Sequence, residues 1–295
     1  MSSIAVVTDS DASLPNDIAA AHDIRLVPIN IHFGEETFRT GIDIDDVHLF
    51  ERVDRDGELP TTSAPAPGQF FEAFDAALKD GYDHVLCLCV SSNVSGTYNA
   101  ALMARDLVPA ESVTVVDTQS ISIGQGFLAL EAASAAREGA DLDQILARIA
   151  SVRSRTTLYG ALETLRYLAM SGRVGHLAAG MASLLNIKPL LTLRDGKLDM
   201  LEKVRTRRKA RARLIELVAD DLKGKEAERM AIIHVNALES ARSFEAELRS
   251  KVPYTDEITI AEFTAGLSVH TGPGMIGVCA VATDVDADSE GAMPA

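Results

Sequence analysis

The chain has 295 residues, 47% of them hydrophobic and 24% charged, and a formal net charge of −15. That length and balance suit a soluble globular protein of two domains with a sizeable core, and the negative charge argues against general nucleic-acid binding. No apolar run approaches the roughly 18 residues of a membrane span, and the N-terminal residues lack the basic and apolar regions of a signal peptide. Trp is absent and aromatics are few, so the core is expected to rest on Ala, Leu, Val and Ile. Cys87, Cys89 and Cys279 make no disulfide framework; buried thiols in a reducing cytoplasm account for them.

Ile4 to Val7 reads as a buried strand ending in Thr8-Asp9-Ser10-Asp11-Ala12-Ser13. A short helix follows over 15–21, then a strand from Leu26 to Phe33 that Pro28 interrupts. Residues 34–45 are a polar excursion, and 47–55 are helical. A hydroxyl-rich loop, Pro60-Thr61-Thr62-Ser63-Ala64-Pro65-Ala66-Pro67-Gly68, leads into a helix over 69–79 that Gly81 ends. The apolar run Val85 to Val90 is a buried strand, and it opens into a second hydroxyl-rich turn, Ser91-Ser92-Asn93-Val94-Ser95-Gly96-Thr97. A helix over 98–106, a strand at Val113–Val116 and helices over 126–137 and 142–152 complete the first unit. Strands alternating with helices at this spacing predict a parallel sheet flanked by helices.

The second unit begins near Arg155. Residues 161–170 read as a helix, 171–175 as a turn and His176 to Asn186 as an apolar helix. Two strands, 187–193 and 198–204, flank an Asp195-Gly196 hairpin turn. A basic helix over 207–222, strands at 230–235 and 258–263 with a helix over 239–249 between them, a His270-Thr271-Gly272-Pro273-Gly274 turn and a last strand to Ala282 follow. Residues 284–295 read as a frayed acidic tail. The expected division is 1–155, 156–283 and 284–295.

In an open α/β sheet, ligands sit at the carboxyl ends of strands against helix N-termini. Hydroxyls and free backbone N–H groups there suit a small carboxylate, although each loop alone is also explained by helix capping. The strand-end turns of the first unit contain no Lys or Arg, which fits less charge than a nucleotide triphosphate carries. Asp9-Ser10-Asp11 after a strand is similar to the D-x-D opening of haloacid-dehalogenase phosphatases, with one Asp as nucleophile and the next as acid/base. No later strand ends in the acidic pair that would hold Mg²⁺, and a turn stabilised by Asx and Ser hydrogen bonds explains the same residues. Gly124-x-Gly126-x-x-Ala129 lies too far from its strand for a dinucleotide fingerprint. Lys203, Arg205, Arg207, Arg208, Lys209, Arg211 and Arg213 crowd one stretch without a local acid. This is either a solvated helix face or a docking patch for an acidic partner or a membrane surface.

Taken in order, the motifs resemble the DegV family of bacterial fatty-acid-binding proteins. They are Thr8-Asp9-Ser10, Thr62-Ser63-x-Pro65 with Pro67-Gly68, Ser91-Ser92-x-x-Ser95-Gly96-Thr97-Tyr98, Val116-Asp117-Thr118 with Gly124-x-Gly126, Gly172-Arg173-Val174, Leu185-Asn186-Ile187-Lys188-Pro189, Arg205-Thr206-Arg207 and His270-x-Gly272-Pro273-Gly274. The resemblance covers Ile4 to about Val281. It implies a two-domain α/β fold, an N-terminal parallel sheet flanked by helices and a C-terminal α/β domain, enclosing one C14–C18 fatty acid, such as palmitate or oleate, in a tunnel. The carboxylate would be held by Thr62 and Ser95, with Ser63, Ser92 and His270 nearby. The protein would be no enzyme and would need no metal or cofactor. It would present the acyl carboxylate to a separate fatty acid kinase subunit, with Arg173 and Arg205 on the docking surface and Arg207 in the same basic patch. Three positions depart from the family pattern: Ala64 and Ala66 replace Gln and Ser, and Asp11 stands where Ser or Thr is commoner.

The energetics of such a carrier are simple. A tail of about fifteen methylenes contributes on the order of 10 kcal/mol, and each hydrogen bond to the charged carboxylate adds about 1.5–3 kcal/mol before desolvation. Affinity would come from an apolar tunnel, expected along His176 to Leu191, and orientation from the hydroxyls.

Overall fold

Alternation along the first strand sets up the architecture. In β1 (Ile4–Asp9) every residue is buried; Ile4 and Val6 face one core, and Ala5 and Val7 another. A computed structural model describes residues 3–173, 187–254 and 256–284. In chain order, α1 (Asn16–Ala21), β2 (Ile24–Val27), β3 (Asn30–Phe33), β4 (Glu36–Arg39), α2 (Asp46–Asp56), β5 (Thr61–Ser63), α3 (Pro67–Lys79), β6 (His84–Cys89), α4 (Thr97–Arg105), β7 (Val113–Asp117), α5 (Ser122–Arg137) and α6 (Leu142–Arg155) follow. Local chemistry explains several ends. The Asp45 side chain accepts from the His48 N–H to start α2, Gly57 ends that helix at φ 72°, and Asp141 with Gln144 forms a capping box on α6.

The first sheet has the order β2-β1-β6-β7, all parallel, as the alternation of elements predicts. The second half contributes β8 (Thr156–Ala161), α7 (Arg166–Met170), β9 (Lys188–Arg194), β10 (Lys197–Val204), α8 (Arg207–Asp221), β11 (Ala227–His234), α9 (Leu238–Arg249), β12 (Thr259–Glu262), α10 (Ala265–Thr271) and β13 (Ile276–Ala282). Its sheet, β10-β9-β8-β13-β11-β12, is antiparallel except for the β11–β12 pair.

Helix α5 joins the halves. It packs on β1 and β6 of the first sheet and on β8, β11 and β13 of the second. Being covered on both sides, it is buried nearly all round, and its Ala- and Gly-rich sequence lets both sheets come close. An added Cβ on Gly126 would lie 2.8 Å from the Ala12 carbonyl oxygen. Helices α3 and α4 cover the far face of the first sheet, and α8 and α9 that of the second. Glu131 on α5 ties the layers electrostatically, taking Arg148 at 2.6 Å and Arg229 at 2.9 Å.

Three expectations need correction. The Thr62 segment is the strand β5, paired antiparallel with β3 in a small sheet of order β4-β3-β5, so 34–45 also contains a strand. Residues 156–161 are a strand, and the helix expected over 161–170 shrinks to α7. His270 lies in the last turn of α10 rather than in the turn after it. The basic run, with no acid inside it, is neutralised from outside: Arg207 pairs with Glu163 and Arg211 with Glu247, both distant in sequence, and Arg213 with Glu202 and Glu216, which flank the run. The apolar helix expected over His176 to Asn186 lies outside the described residues. Among the described residues no helix is long and apolar enough to cross a membrane.

Candidate ligand-binding site

A cavity of about 450 Å³ opens between the two halves. Its apolar wall is Ile29, Val94, Ile121, Leu168, Leu191, Leu198, Phe263 and Leu267. A small recess of about 50 Å³ continues it past Leu158, Leu162, Ile233 and Met275. Its polar lining includes Asp11, Thr62, Ser63, Ser95, Arg173 and His270. Thr62, Arg173 and His270 also line an outer vestibule with Leu59, Pro60 and Met170, so they stand at the mouth.

Strand pairing places Thr62: it is opposite Ile31 of β3, half-buried, with Oγ1 3.1 Å from His270 Nε2. Helix α10 carries His270 and is pinned from below, where the Ser268 hydroxyl donates to Asp46 at 2.7 Å. Burial, and secondarily the Arg173 guanidinium, lower the His270 pKa to about 4, so its ring is neutral at pH 7. Its Nδ1 is buried without a hydrogen-bond partner. A proton on Nε2 therefore suits the site best: the ring then donates to Thr62 and leaves Nδ1 a bare acceptor, and the Thr62 hydroxyl proton is free for a ligand.

Ser95 sits in the turn before α4, where Gly96 is the N-cap. Its Oγ accepts from the Thr97 N–H at 3.3 Å and lies 2.8 Å from the buried Thr97 hydroxyl. With Thr97 as donor there, the Ser95 proton is free for the cavity. An anion placed between Thr62 and Ser95 meets two hydroxyl donors, the N-terminal end of α4 and the exposed Arg173.

The other sequence-based candidates divide. Ser63 lines the cavity, but its hydroxyl is 2.8 Å from His32 Nε2. Ser92 lies outside the lining and donates its hydroxyl to Asp117 at 2.5 Å. Arg173, expected on a docking surface, lines the cavity itself. Arg205 is exposed ahead of α8, and Arg207 is held by Glu163 at 2.6 Å, with Lys188 on the other carboxylate oxygen. Sequence reasoning missed Ile121, Leu168, Phe263 and Leu267. These come from separate elements, and no periodicity marks them as one wall.

The Asp9–Asp11 pair is now physical. Asp9 is fully buried and accepts from the Val90 N–H at 2.8 Å, the Asp11 N–H at 3.0 Å and the Gln125 amide at 3.1 Å. Desolvation raises its pKa to about 6 despite these bonds. A carboxylate committed to three donors and closed to solvent holds a turn together; it offers no exposed oxygen for attack on a phosphate. Among the described residues no group of three or more His, Cys, Asp or Glu is disposed to hold a metal ion.

Comparison with known proteins agrees over the whole architecture. A DegV domain-containing protein of Halalkalibacterium halodurans is 35% identical over 278 residues, covering 94% of this chain and 98% of its own. A solved structure describing fatty acid binding of a DegV family protein from Thermus thermophilus matches with a TM-score of 0.89 at 32% identity, over 95% of this chain and 99% of that one. DegV from Bacillus subtilis, described as a fatty acid binding protein, matches with a TM-score of 0.87 at 33% identity, over 96% and 100% of the two chains. The family model described as "Uncharacterised protein, DegV family" spans residues 3–283, and this chain belongs to that family.

Proposed function

We propose that this chain is a cytoplasmic carrier for one long-chain fatty acid and catalyses no reaction itself. The observation that carries the reading is the cavity: its wall is largely apolar, with hydroxyls and one guanidinium at its mouth. Thr62 and Ser95 hold the carboxylate, His270 aims the Thr62 hydroxyl, Ser63 forms the rim, and Ser92 fixes its turn through Asp117. The solved relatives described as fatty acid binding support this. Organic extraction of the purified protein followed by mass spectrometry is expected to release about one C14–C18 fatty acid per chain. A protein that is empty and takes up neither palmitate nor oleate overturns the reading.

The head group at the mouth is available to a second protein, and we extend the proposal to presentation of the carboxylate to a separate fatty acid kinase subunit. The segment after His270 leads from the mouth towards the basic helix: Gly272 abuts Tyr167, and Gly274 abuts Glu163, which holds Arg207. Reversing Arg205 and Arg207 to Glu is expected to cut acyl-phosphate formation by such a kinase at least about tenfold through lost charge complementarity, with lipid still bound. Loss of the lipid instead would assign these arginines to the fold.

A further inference from the structure

Asp11 is a group in the cavity for which a plain alkyl acid has no use. It lies in the short 3-10 turn Ser10–Ala12 after β1, is only 5% exposed, and belongs to the cavity wall. Its Oδ1 accepts weakly from the Thr264 hydroxyl at 3.4 Å and is so close to Gly266 that an added Cβ there would lie 2.6 Å away. Its Oδ2 has no hydrogen-bond partner among the described residues. Burial and the neighbouring Asp9 hold the carboxyl well above the usual carboxylate range. Either way Oδ2 accepts a hydrogen bond, and the protonated carboxyl donates one as well.

The position of this group along the ligand follows from α10. Gly266 and His270 are four residues apart on that helix, one turn and ~6 Å along its axis, on the same face. His270 and Thr62 line the outer vestibule and Asp11 does not. The carboxyl of Asp11 thus lies about one turn inward from His270 and its partner Thr62. A chain anchored at Thr62 and Ser95 carries its first few carbons past it. Bare methylenes there displace water from Oδ2 and return no hydrogen bond, which is the expensive way to desolvate a polar group. A hydroxyl on those carbons would satisfy it.

We propose that Asp11 makes this cavity selective for 3-hydroxy fatty acids over unsubstituted acids of the same length. The inference rests on the carrier reading above. It is tested by titrating delipidated full-length protein with hexadecanoate and with each enantiomer of 3-hydroxyhexadecanoate. One enantiomer is expected to bind about tenfold tighter than hexadecanoate, the value of one recovered buried hydrogen bond; only one, because the carboxyl stands on one wall. Asp11→Asn, whose amide still donates and accepts, is expected to keep the preference. Asp11→Ala is expected to bind hexadecanoate more tightly than the wild type and to bring the ratio to about one. Equal or weaker binding of both enantiomers by the wild type overturns the inference, as does a preference that survives in Asp11→Ala. Uptake of no acid at all overturns the carrier reading, and this one with it.

Discussion

Replacing Thr62 and Ser95 together by alanine is expected to weaken fatty-acid binding by two to four orders of magnitude. Each hydroxyl donates to a charged group, and such a bond contributes about 1.5–3 kcal/mol, so two together contribute about 3–6 kcal/mol. The apolar wall is untouched, so the variant keeps residual affinity for the tail. The fold should hold as well. Thr62 lies half-buried in β5 of the small sheet, and Ser95 lies in a turn. The main structural cost is His270 Nε2, which loses its partner at about 1 kcal/mol. Thr62→Ser restores a hydroxyl and is expected to recover most of the affinity. Calorimetric titration of delipidated protein reads the binding loss, and urea unfolding reads the fold. Affinity unchanged in the double variant would move the carboxylate elsewhere, with Arg173 and Lys197 the cations that line the cavity.

The parts of this site that were legible in the sequence are those whose cause is local. The strand β6 ends in a run of hydroxyls because the chain turns there into α4, and both the apolar run and the turn chemistry are written within fifteen residues. The parallel order of the first sheet likewise follows from strands and helices alternating at crossover length. What was misread has a distant cause. β5 is three residues long between prolines and exists because β3, thirty residues earlier, offers a free edge. β8 starts at the residue after α6 ends, with no turn residue to mark the change. α10 is seven residues with a glycine inside, held by Ser268 on Asp46 of α2 rather than by its own propensity. The basic run lacks acids only within its own stretch; Glu202 and Glu216 flank it, and Glu163 and Glu247 reach it through the fold. Asp11 was read as part of a turn or a phosphatase motif, since nothing in sequence shows that α10 would bring Thr264 and Gly266 against it.

Gly272→Ala is expected to destabilise the protein by about 4 kcal/mol and to weaken lipid binding at the same time. Two costs add. Gly272 ends α10 at φ 77° and ψ 166°, a conformation that is essentially glycine's alone and costs other residues about 1–3 kcal/mol. An added Cβ would also stand 2.2 Å from Tyr167 Cδ2 and 2.3 Å from Cε2. That ring cannot simply swing aside, because it meets Phe50 edge-on at 6.4 Å, and overpacking of this kind costs about 1–3 kcal/mol more. Gly34→Ala separates the terms: Gly34 has φ 60° with no atom within 4 Å of an added Cβ, so only a left-handed penalty of about 1–2 kcal/mol applies. Removing the ring as well, in Gly272→Ala with Tyr167→Ala, should return the steric share in a double-mutant cycle. The binding effect follows from the same geometry. Relief of the clash must move either α7 or the end of α10, and the end of α10 carries His270 against Thr62. A cost for Gly272→Ala no larger than that for Gly34→Ala would mean that the Tyr167 ring gives way freely. The head-group hydroxyl would then owe its position to the β3–β5 pairing rather than to the turn that follows His270.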